Sequence, residues 1–120
     1  MKVPSFLLKK LYMKDSLKNT ENGFEFTIKN VLMDGTITNP MTLSVDNRAI
    51  DPASITVSTG DLSLSTKDIS ESQQLPLKVD VEVKISIKGT PLNAGTHSLD
   101  IVAPTKEFGD IEFTIEDSIH

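Results

Sequence analysis

Between positions 79 and 87 every second residue is aliphatic: Val79, Val81, Val83, Ile85 and Ile87 alternate with Asp80, Glu82, Lys84 and Ser86. A period of two puts all five aliphatics on one side of a pleated strand, whereas a helix would spread them around its circumference. The pattern therefore predicts a strand with one dry and one wet face. The same alternation recurs at Phe24, Phe26 and Ile28, at Met41, Leu43 and Val45, at His97, Leu99 and Ile101, and at Ile111, Phe113 and Ile115. Shorter strands are predicted at 55–58 and around Leu62 and Leu64.

Turn-forming residues separate these runs. Asn22-Gly23 supplies the dipeptide that accepts positive φ most readily and predicts a hairpin into the Phe24 strand. Asp34-Gly35 and Asn39-Pro40 fall in what reads as a connection over 30–40, Asp46-Asn47 offers a tight turn, and Asp51-Pro52 starts a short excursion. Gly60-Asp61 ends one strand, and the polar stretch 65–74 reads as a loop or a single helical turn. Gly89, Pro91 and Asn93-Ala94-Gly95 lead back into the sheet, Pro104 is expected to end the strand over 96–102, and Phe108-Gly109 marks a last bend. Only the final few residues look frayed. Near the start the pattern is ambiguous: Leu7, Leu8, Leu11 and Tyr12 suit an amphipathic helical turn, while Leu11, Met13, Asp15 and Leu17 alternate as a strand would.

About seven or eight short strands, few helices and no long crossover point to an all-β chain, an antiparallel β-sandwich of the immunoglobulin or fibronectin kind. A small closed barrel is the competing architecture. The 120 residues suit a single domain over 1–120 with one core, built chiefly from Val, Ile and Leu because aromatics are only 5% of the chain.

Charge and composition narrow the partners. Seventeen carboxylates against twelve cations give a net charge of −5, and Arg48 is the only arginine, so nucleic acid is not an expected partner. With no cysteine there are no disulfides, thiolate metal sites or thiol nucleophiles. Lys2 precedes a short apolar stretch that Pro4 interrupts and Lys9 and Lys10 end, so neither a signal peptide nor a membrane span is expected, and the location expected is cytoplasmic.

Chemistry-bearing motifs are scarce. Glu25, Asp80, Glu82, Asp100, Glu112 and Glu116 sit in the polar halves of strand alternations and read as solvated faces. His97 shares the face of Leu99 and Ile101 without a second histidine at metal-ligand spacing, and reads as a histidine at the edge of the core. No nucleophile elbow, phosphate loop or dinucleotide fingerprint occurs, so no catalytic residue, metal ligand or cofactor is expected. Two segments depart from a self-contained sandwich: Phe6, Leu7 and Leu8 cluster before the first secure strand, and Val31, Leu32 and Met33 crowd a connection that ought to be polar. Apolar side chains in connections either cap a core or meet a partner, which makes these six the candidate partner-binding residues.

The order Asp15-Ser16-Leu17-Lys18-Asn19 followed by Gly23-Phe24-Glu25-Phe26-Thr27-Ile28 resembles the opening of the small beta subunits of C-glycoside deglycosidases. Leu43-Ser44-Val45-Asp46-Asn47 with the return over 50–55, and Leu92-Asn93-Ala94-Gly95-Thr96-His97, are similar to later parts of that family. The family's aromatic and arginine-rich stretch corresponds here to residues 30–35, where only the glycine is kept. The resemblance implies a non-catalytic accessory subunit docked on a larger barrel-type enzyme that carries a divalent metal and the catalytic residues. Short archaeal chains that this one also resembles carry a hydroxymethylglutaryl-CoA reductase label, but no nicotinamide or CoA site is recognisable in its residues. The alternatives are a free-standing binding or scaffold module, self-associating through a sandwich edge, and a hydrolase dependent on His97.

Overall fold

The computed structural model describes residues 3–120 and is a two-layer antiparallel β-sandwich. Met1 and Lys2, the latter read above as the flank of the apolar stretch, lie outside the described residues. The ambiguity near the start resolves as helix. One turn, α1 (Ser5–Leu8), runs into a 3-10 turn (Lys9–Leu11), and Tyr12 then makes a single bridge to Ile28.

Eleven strands follow. The first layer holds β1 (Lys18–Thr20), β2 (Gly23–Lys29), β6 (Ile55–Thr59), β7 (Leu62–Ser65) and β9 (Glu82–Lys88), in the order β1-β2-β9-β6-β7. The second holds β3 (Gly35–Ile37), β4 (Thr42–Val45), β5 (Arg48–Ala49), β8 (Leu75–Leu77), β10 (Gly95–Thr105) and β11 (Gly109–Ile119). β10 is its spine: β11 pairs with it along all eleven residues, while β4 and β3 share the other edge. Phe26, Ile37, Val57, Leu75, Val83 and Leu99 are sealed between the layers in a single core cluster. On the outer side of the first layer Glu25 draws Lys84 and Lys18 to 3.4 and 3.9 Å and is only 13% exposed, so it is covered by its cations rather than freely solvated as its place in the alternation suggested.

The sandwich stands and the barrel does not, but the strands number eleven rather than seven or eight. The alternation at 79–87 breaks early, because Asp80 adopts φ 70° and β9 starts only at Glu82, leaving Val79 exposed. Three strands were hidden. β3 lies in the expected connection, β5 is two residues long and follows directly on the Asp46-Asn47 turn, and β8 is interrupted in sequence by Pro76, which is tolerated because β8 is an edge strand whose only partner among the described residues is β3. Pro104 does not end β10. Its carbonyl accepts from Thr38, and its nitrogen points the same way, into the gap between β3 and β4 where no ladder bond is lost. β11 stays paired to its last residue, so no fraying occurs before Ile119. The Asp46-Asn47 turn forms as read, both residues having positive φ (52° and 67°). The first hairpin turns instead on Glu21 and Asn22, with Gly23 opening β2. Gly23 is needed for a different reason: a Cβ there would lie 1.9 Å from the Ile87 carbonyl oxygen.

Candidate functional site: an apolar groove at one end of the sandwich

The helical entry to the chain is fixed to the sandwich by one buried carboxylate. Tyr12 stacks at a tilt 5.8 Å from Phe26, and its hydroxyl donates to Asp117 Oδ2 at 2.6 Å. Asp117 also accepts from the Leu17 and Ser118 amides. Burial alone would raise the Asp117 pKa, but these donors outweigh it and hold the carboxyl below its usual range. Burial, and then the bond to Asp117, push the Tyr12 phenol upward. The pair thus favours one protonation pattern, a neutral donor facing an ionised acceptor.

Opposite this entry, residues 30–35 are shaped by Asn30. Its side-chain amide donates to the carbonyls of Met33 and Leu77, both at 2.8 Å, and its Oδ1 accepts from the Leu32 amide at 3.2 Å. With the polar backbone satisfied by that one side chain, Val31 and Met33 are free to turn outward. They stand 44% and 52% exposed, which is unusual for aliphatic side chains beside a core.

Between the two segments lies a groove of about 370 Å³, floored by Ile28, Leu77 and Ile111 and closed at one side by Phe108. Among the described residues no ionisable side chain lines it. Of its two polar lining side chains, Asn30 is committed as above, and Thr105 Oγ1 donates to the Gly109 carbonyl at 2.7 Å and accepts from the Phe108 amide at 3.0 Å. Chemically the groove can bury apolar surface, but it offers no free donor or acceptor to orient a polar ligand.

Of the six residues singled out in the sequence, Leu7, Leu8, Val31, Leu32 and Met33 line this groove together. Leu8 is a buried core residue and Leu32 is half-buried, whereas Phe6 lies outside the groove and is 66% exposed. Asn30 and Thr105 were not anticipated. A polar residue after an alternating run reads as the start of a loop, and the partner that makes Asn30 structural, Leu77, is 47 residues away. His97 lies eight residues back along β10 from Thr105, about 27 Å away at the rise of a strand, with both ring nitrogens already bonded. Among the described residues no three His, Asp or Glu side chains gather as a metal ion would require, and no helix is long and apolar enough to cross a membrane.

Fold and groove together define a β-sandwich module with an apolar groove whose two polar lining side chains, Asn30 and Thr105, are bonded within the fold. The family model for hydroxymethylglutaryl-CoA reductase, N-terminal domain, matches residues 7–120, and the chain belongs to that family. No curated protein matches it.

This match overturns the resemblance to C-glycoside deglycosidase beta subunits, and with it the accessory subunit on a metal-dependent barrel enzyme; the free-standing module gains no support either. The reductase label that the residues gave no reason to adopt is the one whose family holds. The physical reason is visible in the positions that carried the resemblance. Leu17, Phe24, Phe26, Leu43 and Val45 are core residues. Ser16 Oγ accepts from the Thr27 amide, and Asp46-Asn47 is the β4–β5 turn. Such positions are set by the sandwich, and so identify a fold rather than a partner.

Proposed function

We propose that this chain is a non-catalytic N-terminal domain of a hydroxymethylglutaryl-CoA reductase and that its groove seats apolar side chains of the reductase's catalytic polypeptide. One observation carries the reading: a concavity with no ionisable lining and with both polar side chains internally paired. Such a surface gains affinity from desolvation and gives no grip on CoA phosphates or a nicotinamide. Val31 and Met33 are the natural contacts. Both are substantially exposed, and an unbranched thioether fills irregular gaps.

The test is titration of the catalytic polypeptide with this domain, followed by calorimetry, with Val31→Ser and Met33→Ser as variants. Each substitution is expected to weaken binding about tenfold or more, the loss of roughly 1.5 kcal/mol of buried apolar contact. Because both side chains are solvent-facing, stability should change by no more than about 0.5 kcal/mol. Absence of association at roughly 100 μM, weaker than any specific interface of ordinary size, would remove the proposal. So would oxidation of a nicotinamide by this domain alone.

A further inference from the structure

The cleft at the opposite end of the sandwich contains a histidine whose surroundings fix its charge. His97 Nδ1 lies 2.6 Å from Asp46 Oδ2, and Nε2 lies 2.7 Å from the carbonyl oxygen of Asn93. A peptide carbonyl can only accept, and an ionised carboxylate can only accept, so both ring nitrogens must donate. Only the imidazolium has two N–H groups. A neutral ring would keep the charge-assisted bond to Asp46 and turn a bare lone pair toward the Asn93 oxygen.

We propose that His97 is a proton-operated latch that ties residues 93–94 to the β4–β5 turn while protonated and releases them when the proton is lost. The turn side of the latch is rigid. Asp46 and Asn47 hold a tight positive-φ turn, the Asp46 amide donates to the Ser98 carbonyl, and Asp46 Oδ1 accepts from the Ser98 amide, both at 2.9 Å. The loop side is the part able to move. Leu92 is clamped by reciprocal 2.9 Å bonds with Asn19, so release stops there. Beyond it, Gly95 at φ 122° supplies a flexible joint at the start of β10.

The charged groups around His97 make the transition a single-proton event. Asp46 faces it from the β4–β5 turn, Arg48 from β5, Asp51 from the following excursion and Lys88 from the end of β9. Asp117 stands opposite it in register on β11. Asp46 and Asp117 are both held below the usual carboxylate range, so they remain ionised while His97 titrates. The bond to the Asn93 carbonyl and then the bond to Asp46 raise the His97 pKa above its ordinary value of 6.5. With the folded value raised, the latch is fully engaged below 6.5 and is lost as pH rises through the folded pKa.

Long-range ¹H–¹⁵N correlation spectra of the imidazole nitrogens, recorded from about pH 5 to about pH 9, together with the ¹³C shift of the Asn93 carbonyl that the ring bonds, test this. His97→Gln distinguishes its resonances from those of His120. The expected result is a doubly protonated ring at the acid end, titration above the ordinary histidine value, and an Asn93 carbonyl shift that moves in step with it. By linkage the closed-to-open ratio falls roughly tenfold for each unit separating the closed-loop from the open-loop pKa. Asp46→Asn keeps an oxygen for the Ser98 amide but removes the charge. It should lower the His97 midpoint and move the Asn93 carbonyl transition with it, while an unchanged midpoint would count against the latch. A ring that is neutral at the acid end, a midpoint at or below the ordinary value, or an Asn93 carbonyl shift that stays flat through the titration would overturn the proposal.

Discussion

Asn30→Ala is the most informative single change, because one side chain holds the outer wall of the groove. The substitution removes two donors and one acceptor. The Leu77 carbonyl lies in a buried setting, so losing its partner should cost about 1–3 kcal/mol. The Leu32 amide and Met33 carbonyl are nearer solvent and can turn to water, so each lost bond should cost about 0.5–1 kcal/mol. The total is about 2–5 kcal/mol, or about 8–20 °C in Tm at roughly 4 °C per kcal/mol for a chain of this length. Urea denaturation followed by circular dichroism gives the free energy, and amide exchange at residues 31–33 reports whether the wall has loosened. Asn30→Asp sharpens the test: ionised, it sets an acceptor against two carbonyls. Its folded pKa should therefore rise, making this variant less stable at neutral pH than at acid pH, where a protonated carboxyl regains one donor. A loss below about 1 kcal/mol for Asn30→Ala, or pH-independent stability of Asn30→Asp relative to the parent, would refute the assignment of Asn30 as the brace.

Tyr12→Phe should cost about 1.5–3 kcal/mol at neutral pH, the value of a hydrogen bond to a charged group. The depressed Asp117 pKa implies stability that is present above the ordinary carboxylate value and lost as pH falls through the folded one. The acid-unfolding midpoint of Tyr12→Phe should therefore move upward; an unchanged midpoint would show that the phenol does not hold Asp117 ionised. Gly23→Ala places a Cβ 1.9 Å from a backbone oxygen of β9. It should separate β2 from β9 and cost more than about 3 kcal/mol, visible as loss of cooperative thermal unfolding, and near-parental stability would contradict the close approach.

How far the sequence spoke depended on the range of the determining contacts. The inward sets Phe24-Phe26-Ile28, Leu43-Val45, Val83-Ile85-Ile87 and Leu99-Ile101 were legible because a strand declares its dry face locally, and each of those residues is buried. Register and partner are not declared that way. β3 and β8 are three residues each and are defined by pairings with distant segments, β8 with β3, where Thr36 stands opposite Pro76, and β3 also with β10 at Thr105. Val79 misled because its alternation is genuine, but Asp80 donates its amide to the Asn30 carbonyl and bends the chain away before the ladder begins. The groove shows both limits together. Its two apolar segments stood out in the sequence, but their meeting across Ile28, Leu77 and Ile111 depends on how the layers stack.

The family was misread for a related reason. In this chain the residue types that usually announce function are consumed by the fold. Asp117 anchors the helical entry, Asn30 braces a connection, Thr66 Oγ1 accepts from the Met41 amide, and His97 bridges a turn and a loop. A short motif drawn from such residues reports the architecture they serve, and unrelated sandwiches share that architecture. The match over residues 7–120 draws instead on nearly the whole chain. The surface proposed above for interaction is the part least like a motif: exposed apolar side chains at Val31 and Met33 around a groove with no ionisable side chain among the described residues. Such a surface acquires specificity from shape, which only the assembled layers possess, so its function had to be sought in the structure rather than in any run of residues.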